Sequence, residues 1–129
     1  MLKNANLFLM PVFIFLTICF ISGCSVNTVE NREHKNGIYT GEWQFGRPHG
    51  YGTYTVRTDD ILRIYEGEWR NGQRHGQGTQ TRENSDGTVL SYEGGWRKDL
   101  RAGQGIQIYD RGSGETVMYE GNFAGDLIH

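Results

Sequence analysis

Several residues in this 129-residue chain recur at spacings that could do chemistry. His49, His75 and His129 hold equivalent places in a repeated phrase. A histidine row binds metal or titrates near neutral pH. Glu42 and Glu68 form a carboxylate row with Gly95 in third place, and Glu66, Glu93 and Glu120 form another that starts from Thr40. Paired carboxylates can act as general acid and base. The glycine runs 46–52 and 72–78 superficially resemble a phosphate-cradling loop. Asn84-x-Asp86-Gly87, with Glu93 beyond it, resembles part of a calcium loop.

Each of these has a plainer account. Ala102 interrupts the histidine row, and the carboxylates alternate with aromatics as on any half-solvated sheet. The glycine runs lack the Gly-Lys-Ser/Thr ending and a following helix. Arg82 stands where a calcium loop needs its first aspartate. No metal, cofactor or catalytic residue is therefore expected.

The elements that carry these residues are repeats. Tyr65 to Gly78 reads YEGEWRNGQRHGQG; Tyr39 to Gly52 and Tyr92 to Gly105 repeat it, and YEGNFAGDLIH from Tyr119 begins a fourth copy. The opening tyrosines are spaced 26, 27 and 27 residues apart, a period that signals stacked supersecondary units. In Tyr-x-Gly-x-Trp the aromatics and glycine share one parity and the polar residues the other, which predicts a strand with one apolar face. A turn signal follows, such as Phe45-Gly46-Arg47-Pro48-His49 or Asn71-Gly72-Gln73-Arg74-His75. Then Gly-x-Gly-Thr opens a second strand, giving a β-hairpin. Glycine at 67 or 94 leaves bare backbone for a ring from the adjoining strand, a known stabilising device. The stripe Tyr39, Trp43, Tyr65, Trp69, Tyr92, Trp96, Tyr119 and Phe123 is expected to supply the packing, and any exposed ring the contact surface.

These units resemble the MORN repeat, whose copies read approximately YEGEWKNGKRHGKGTYTY. The resemblance runs from Tyr39 to the C-terminus. It implies an all-β fold, an elongated, twisted, single-layer antiparallel sheet of tandem hairpins, and relatives that serve as interaction platforms. The fourth copy stops before a second strand, so its strand either caps the sheet or leaves an edge open to self-association.

The N-terminal segment differs. Leu7 to Ile21, LFLMPVFIFLTICFI, is almost wholly apolar and has 15 residues, short of the ~20 a spanning helix needs. Its length suits a signal-peptide core. Ile21-Ser22-Gly23-Cys24 resembles the lipobox of bacterial lipoproteins. That resemblance implies cleavage before Cys24, acylation of Cys24, and attachment to the cell envelope. Serine at 25 favours the outer membrane, facing the periplasm, in a two-membrane bacterium. The expected organisation is a signal-peptide helix over 1–23, lipidated Cys24 and a solvated polar tether over 24–36, and the repeat domain over 37–129. His34 falls in that tether.

Composition narrows the function further. The chain has 13 basic and 15 acidic residues, a net charge of -2, and so no basic footprint for nucleic acid. Its two cysteines, Cys19 and Cys24, precede the repeats, which excludes a thiol enzyme or cysteine-based zinc site there. The expected function is a membrane-anchored, non-enzymatic module that binds a protein or envelope polymer. The alternatives are lipid-headgroup binding through Arg47, Arg70, Arg74, Arg97, Lys98 and Arg101, and a small envelope hydrolase.

Overall fold

The computed structural model describes residues 26–125 and the backbone of Leu127 and Ile128. Cys24, the motif Ile21-Ser22-Gly23, the signal-peptide helix and His129 lie outside the described residues. The regular elements are all strands: β1 Asn27–His34, β2 Gly37–Gln44, β3 Arg47–Arg57, β4 Ile61–Arg70, β5 Gln73–Asn84, β6 Val89–Arg97, β7 Leu100–Asp110, β8 Thr116–Ala124 and β9 Leu127–Ile128. Each pairs antiparallel with its chain neighbours in one sheet of nine strands. The expected single layer of consecutive hairpins is therefore present.

Register explains the recurrent glycines. Gly41 pairs with Gly52, then the row continues through Gly67, Gly78, Gly94, Gly105 and Gly121. It forms a trough of bare backbone across the sheet, and the tyrosine rings fill it. A Cβ at Gly78 would lie 2.4 Å from the Tyr65 hydroxyl oxygen, and one at Gly52 would strike the ring of Tyr39. A Cβ at Gly67 would lie 2.5 Å from the Cα of Gly78. The ring near Gly67 belongs to Tyr65 of its own strand; the adjoining-strand arrangement holds instead at Gly78 and Gly105.

Aromatic packing links the repeats. Tyr39, Trp43, Tyr65, Trp69, Tyr92, Trp96 and Phe123 are buried and form the core. Tyr39, Tyr65 and Tyr92 each meet the tryptophan of their own repeat and the tryptophan or phenylalanine of the next: Tyr65 stands edge-on to Trp69 at 5.2 Å and to Trp96 at 5.3 Å. Tyr39 meets Trp69 at 5.4 Å and Tyr92 meets Phe123 at 4.8 Å. Edge-to-face pairs of this kind each contribute about 0.5–1.5 kcal/mol beyond burial. No unit can complete its own core, which is why these repeats must stack.

The turns are tighter than the sequence suggests. The expected five-residue loop is a two-residue turn followed at once by β3 or β5. Phe45 and Gly46 have φ of 50° and 77°, Asn71 and Gly72 have 54° and 79°, and Lys98 and Asp99 have 50° and 69°. Positive φ at both central residues matches the twist of the flanking strands. The remaining loop signal is a bulge in the second strand, where Gly50 and Gly76 take φ of 75° and 60°.

The segment expected as a solvated tether contains a strand. β1 pairs with β2 from Asn27 to His34. The reason lies in Trp43. Trp69 and Trp96 are each covered by the tyrosine of the preceding repeat, and Trp43 has no such tyrosine before it. In its place the Arg32 guanidinium lies 4.5 Å from the centre of the Trp43 ring, and His34 stands edge-on at 5.7 Å. Val29 packs against the same core. Pairing with β2 also satisfies that strand's outer backbone groups, which a tether would leave to solvent. At the other end, β9 pairs with β8 only at Phe123 and Ala124.

Candidate functional site

Within each repeat the polar residues hold the backbone in shape. The Tyr39 hydroxyl donates to the carbonyl of Glu42 at 2.8 Å, Tyr65 to that of Glu68 at 2.9 Å, and Tyr92 to that of Gly95 at 3.0 Å. Trp69 and Trp96 donate their indole N–H to the carbonyls of Gly52 and Gly78, both at 3.1 Å. Burial pushes the hydroxyl pKa of Tyr39 and Tyr65 well above the ordinary tyrosine value, with the Glu42 and Glu68 charges adding to it.

The carboxylate row has the same kind of role. Glu42 accepts from the backbone N–H of Tyr51 at 3.1 Å, and Glu68 from that of Gln77 at 3.0 Å. Each therefore satisfies a donor freed by the bulge in the paired strand. Gly95 breaks the pattern in the third repeat. Glu66 accepts from the Tyr51 hydroxyl at 3.2 Å. Of the histidines, His49 Nδ1 meets the Asn71 N–H at 3.5 Å. No group of three or more metal-ligating side chains occurs among the described residues. Asp86 accepts from the Thr88 N–H at 2.9 Å and from its hydroxyl at 2.7 Å, an Asx turn at the β5–β6 connection.

The cations expected to form one headgroup surface are divided. Arg74 lies over Trp96 at 4.3 Å from the ring centre, and Arg101 over Phe123 at 5.2 Å. Arg74 also pairs with Asp99 at 3.2 Å, donates to the Asp99 carbonyl at 2.7 Å, and donates to Gln80. Arg47, Arg70, Arg97 and Lys98 are exposed at the hairpin tips. Pro48 stands where the other repeats have Arg74 and Arg101, and it is fully buried.

The aromatic face also carries a cleft of about 260 Å³. Tyr54, Tyr65 and Trp69 form its walls; His34, Lys35, Arg63, Arg74 and Asp99 supply its polar groups. Its lining reaches from β1 to the turn between β6 and β7, so the sheet curls over this face. His34 carries the mark of that curl. Burial and Lys35 hold its pKa below the usual histidine value, and Asp99 acts in the opposite sense. Its Nε2 is withdrawn from solvent with no hydrogen-bond partner among the described residues, a state that costs about 1–3 kcal/mol. Tyr54 is committed to Asn36, donating at 3.0 Å.

Seven residues of the stripe form the buried core and Tyr119 packs against it, but sequence reasoning missed this cleft. His34 falls in the expected tether, and Tyr54, Arg63 and Asp99 lie far from it along the chain. One signal was legible: Arg74 and Gln80 recur as Arg101 and Gln107, and each pair is hydrogen-bonded. Tyr119, the last tyrosine of the stripe, is half-buried and meets Phe123 at 5.4 Å.

Among the described residues no helix is long and apolar enough to cross a membrane. No curated protein matches the chain at a significant level. The family profile of the MORN repeat matches residues 39–57, 65–87 and 92–114, half of the chain. The partial copy from Tyr119 lies beyond those matches, yet β8 pairs in the same register, Gly105 against Gly121. On the repeats, their register and that match, this chain belongs to the MORN-repeat family.

Proposed function

We propose that this protein is a non-enzymatic binding module, held at a bacterial membrane by acylated Cys24, that displays its curled aromatic face to a protein or envelope polymer. One observation carries the binding reading. Glu42, Glu68 and the repeated tyrosines and tryptophans are committed to bulges, backbone carbonyls and ring packing, while the curled face keeps a cleft lined by Lys35 and Arg63. A general acid or base needs a group free to exchange protons with a substrate. Glu42 and Glu68 do not offer one.

The anchor rests on the lipobox resemblance at Ile21-Ser22-Gly23-Cys24. Only Ser25 and Val26 separate Cys24 from the start of β1. At no more than about 3.5 Å per residue, the acylated residue would hold the β1 edge within roughly 10 Å of the bilayer. One acyl chain binds only marginally, and the lipoprotein pattern supplies more than one. The same pattern with Ser25 favours the outer membrane, facing the periplasm.

Crosslinking in intact envelopes, followed by capture through a C-terminal tag, tests the reading. A protein or envelope polymer should be enriched over a lipidated control domain, and equal recovery refutes it. Cys24→Ala should abolish acylation, leave residues 1–23 uncleaved and shift the protein's fractionation. The headgroup alternative retains only the tip cations Arg47, Arg70, Arg97 and Lys98; salt-sensitive binding of the Cys24→Ala chain to anionic vesicles would favour it.

A further inference from the structure

The cleft on the aromatic face has a composition that specifies its ligand. Three cations line it, Lys35, Arg63 and Arg74, against one carboxylate, Asp99. Arg74 is already paired with Asp99 and bonded to Gln80. Among the described residues no hydrogen bond or ion pair engages the side chains of Lys35 or Arg63. Their charges are therefore left over at the mouth. Nε2 of His34 is withdrawn from solvent, so that side chain offers the cleft only its ring. The other polar groups of the wall are spoken for: the Tyr54 hydroxyl by Asn36, and the Trp69 indole by Gly52. What remains is apolar ring edge from Tyr54, Tyr65 and Trp69.

We infer that this cleft binds a small anionic ligand of monosaccharide size, a carboxylate or phosphate carried on a sugar ring. Its anion meets Lys35 and Arg63, and its ring lies against Tyr54 and Trp69. Size limits the ligand: about 260 Å³ lies just below the roughly 300–1,000 Å³ usual for ligand pockets, which leaves room for a single sugar ring and little more. Charge supports the class, because two uncommitted cations beside a single, already paired carboxylate favour an anion and disfavour a neutral sugar.

The site also gives β1 a second role. His34 and Lys35 come from the end of β1 and its turn, and Arg63, Arg74 and Asp99 from the second and third repeats. No single repeat contains the constellation. The curl of the sheet assembles it, so a chain with the same repeats but no β1 would lack it.

The inference rests on the binding reading proposed above, narrowed to one cleft and one ligand class. The full chain, kept in solution with non-ionic detergent, is titrated with glucuronate, glucose 6-phosphate, inorganic phosphate and glucose, and followed by calorimetry and by the imidazole nitrogen signals of His34. Glucuronate or glucose 6-phosphate should bind and shift the His34 signals, with phosphate and glucose each weaker by about tenfold or more. Arg63→Gln, at an exposed position, should weaken binding by about tenfold with unchanged thermal melting. Lys35→Gln should weaken it similarly, and Glu93→Gln, on the opposite face, should leave it intact. Absence of binding by both sugar anions at about 10 mM, a range far weaker than ordinary ligand affinities, overturns the inference. So does equal binding of glucose, or binding indifferent to Arg63→Gln. Binding of an acidic peptide alone, displaced by neither sugar anion, also overturns it while leaving the wider binding reading in place.

Discussion

Gly78→Ala isolates the logic of this fold in a single methyl group. The added Cβ would lie 2.4 Å from the Tyr65 hydroxyl oxygen and 2.6 Å from the ring carbon that bears it. Backbone conformation is not the obstacle, because φ at Gly78 is not in the left-handed region. The ring must move. Moving it breaks the hydroxyl bond to the Glu68 carbonyl, worth about 1 kcal/mol. It disturbs two edge-to-face contacts, with Trp69 and Trp96, at about 0.5–1.5 kcal/mol each. Partial exposure of a ring that is now 2% exposed adds about 1 kcal/mol. Alanine restricts the unfolded chain and returns about 0.4–1 kcal/mol. The net loss is about 3 kcal/mol, and a domain of this size should melt roughly 12 °C lower or more. Urea unfolding followed by tryptophan fluorescence measures it. The decisive control is a cycle with Tyr65→Ala, because without the ring the methyl group has nothing to strike. The second substitution should then cost little, giving a coupling of about 2 kcal/mol. A Gly78→Ala loss under about 0.5 kcal/mol, or a coupling near zero, would refute the account of the glycine trough.

Three further outcomes follow from the same geometry. Glu68→Ala removes the acceptor for the Gln77 N–H and should cost about 1–2 kcal/mol in urea unfolding, whereas Glu93→Ala should stay within about 0.5 kcal/mol; equal effects would contradict the bulge-holding role. Phe45 holds a left-handed turn position with its ring 83% exposed, where the second repeat has Asn71, so Phe45→Asn should raise stability by about 0.5–1 kcal/mol; a lower melting temperature would count against the turn assignment. Tyr39 and Tyr65 ionise at higher pH folded than unfolded. Their contribution is thus complete below the unfolded tyrosine pKa of about 10 and is lost as pH rises above it, at about 1.4 kcal/mol per pH unit for each ring. Urea unfolding between about pH 9.5 and 11.5 should show that fall, and a flat profile would mean these hydroxyls are not buried.

Much of the fold was legible because it is local and repeated. Tyr65 and Trp69 lie on one parity with Gly67 between them, so the apolar face could be read within five residues. Hairpin neighbours could be read as well, since Asn71-Gly72 is a strong turn signal. The tight turn at Phe45-Gly46 was harder, because phenylalanine disguises a position that wants positive φ. β1 was not legible at all. NTVENREH has no aromatic stripe, and it is a strand only because β2 offers an unpaired edge and Trp43 an uncovered ring.

The sequence by itself therefore determined the repeat, the hairpin, the parity of the stripe and the need for glycine beside each ring. These follow from period-two side-chain alternation and from steric limits within one unit. Tertiary structure alone decided what covers Trp43, that Arg74 turns inward onto Trp96 and Asp99, and that His34 and Arg63 line one cleft on the curled face. The physical reason is separation along the chain. His34 and Asp99 are 65 residues apart, and only the accumulated twist and curl of the intervening strands bring them to one cleft.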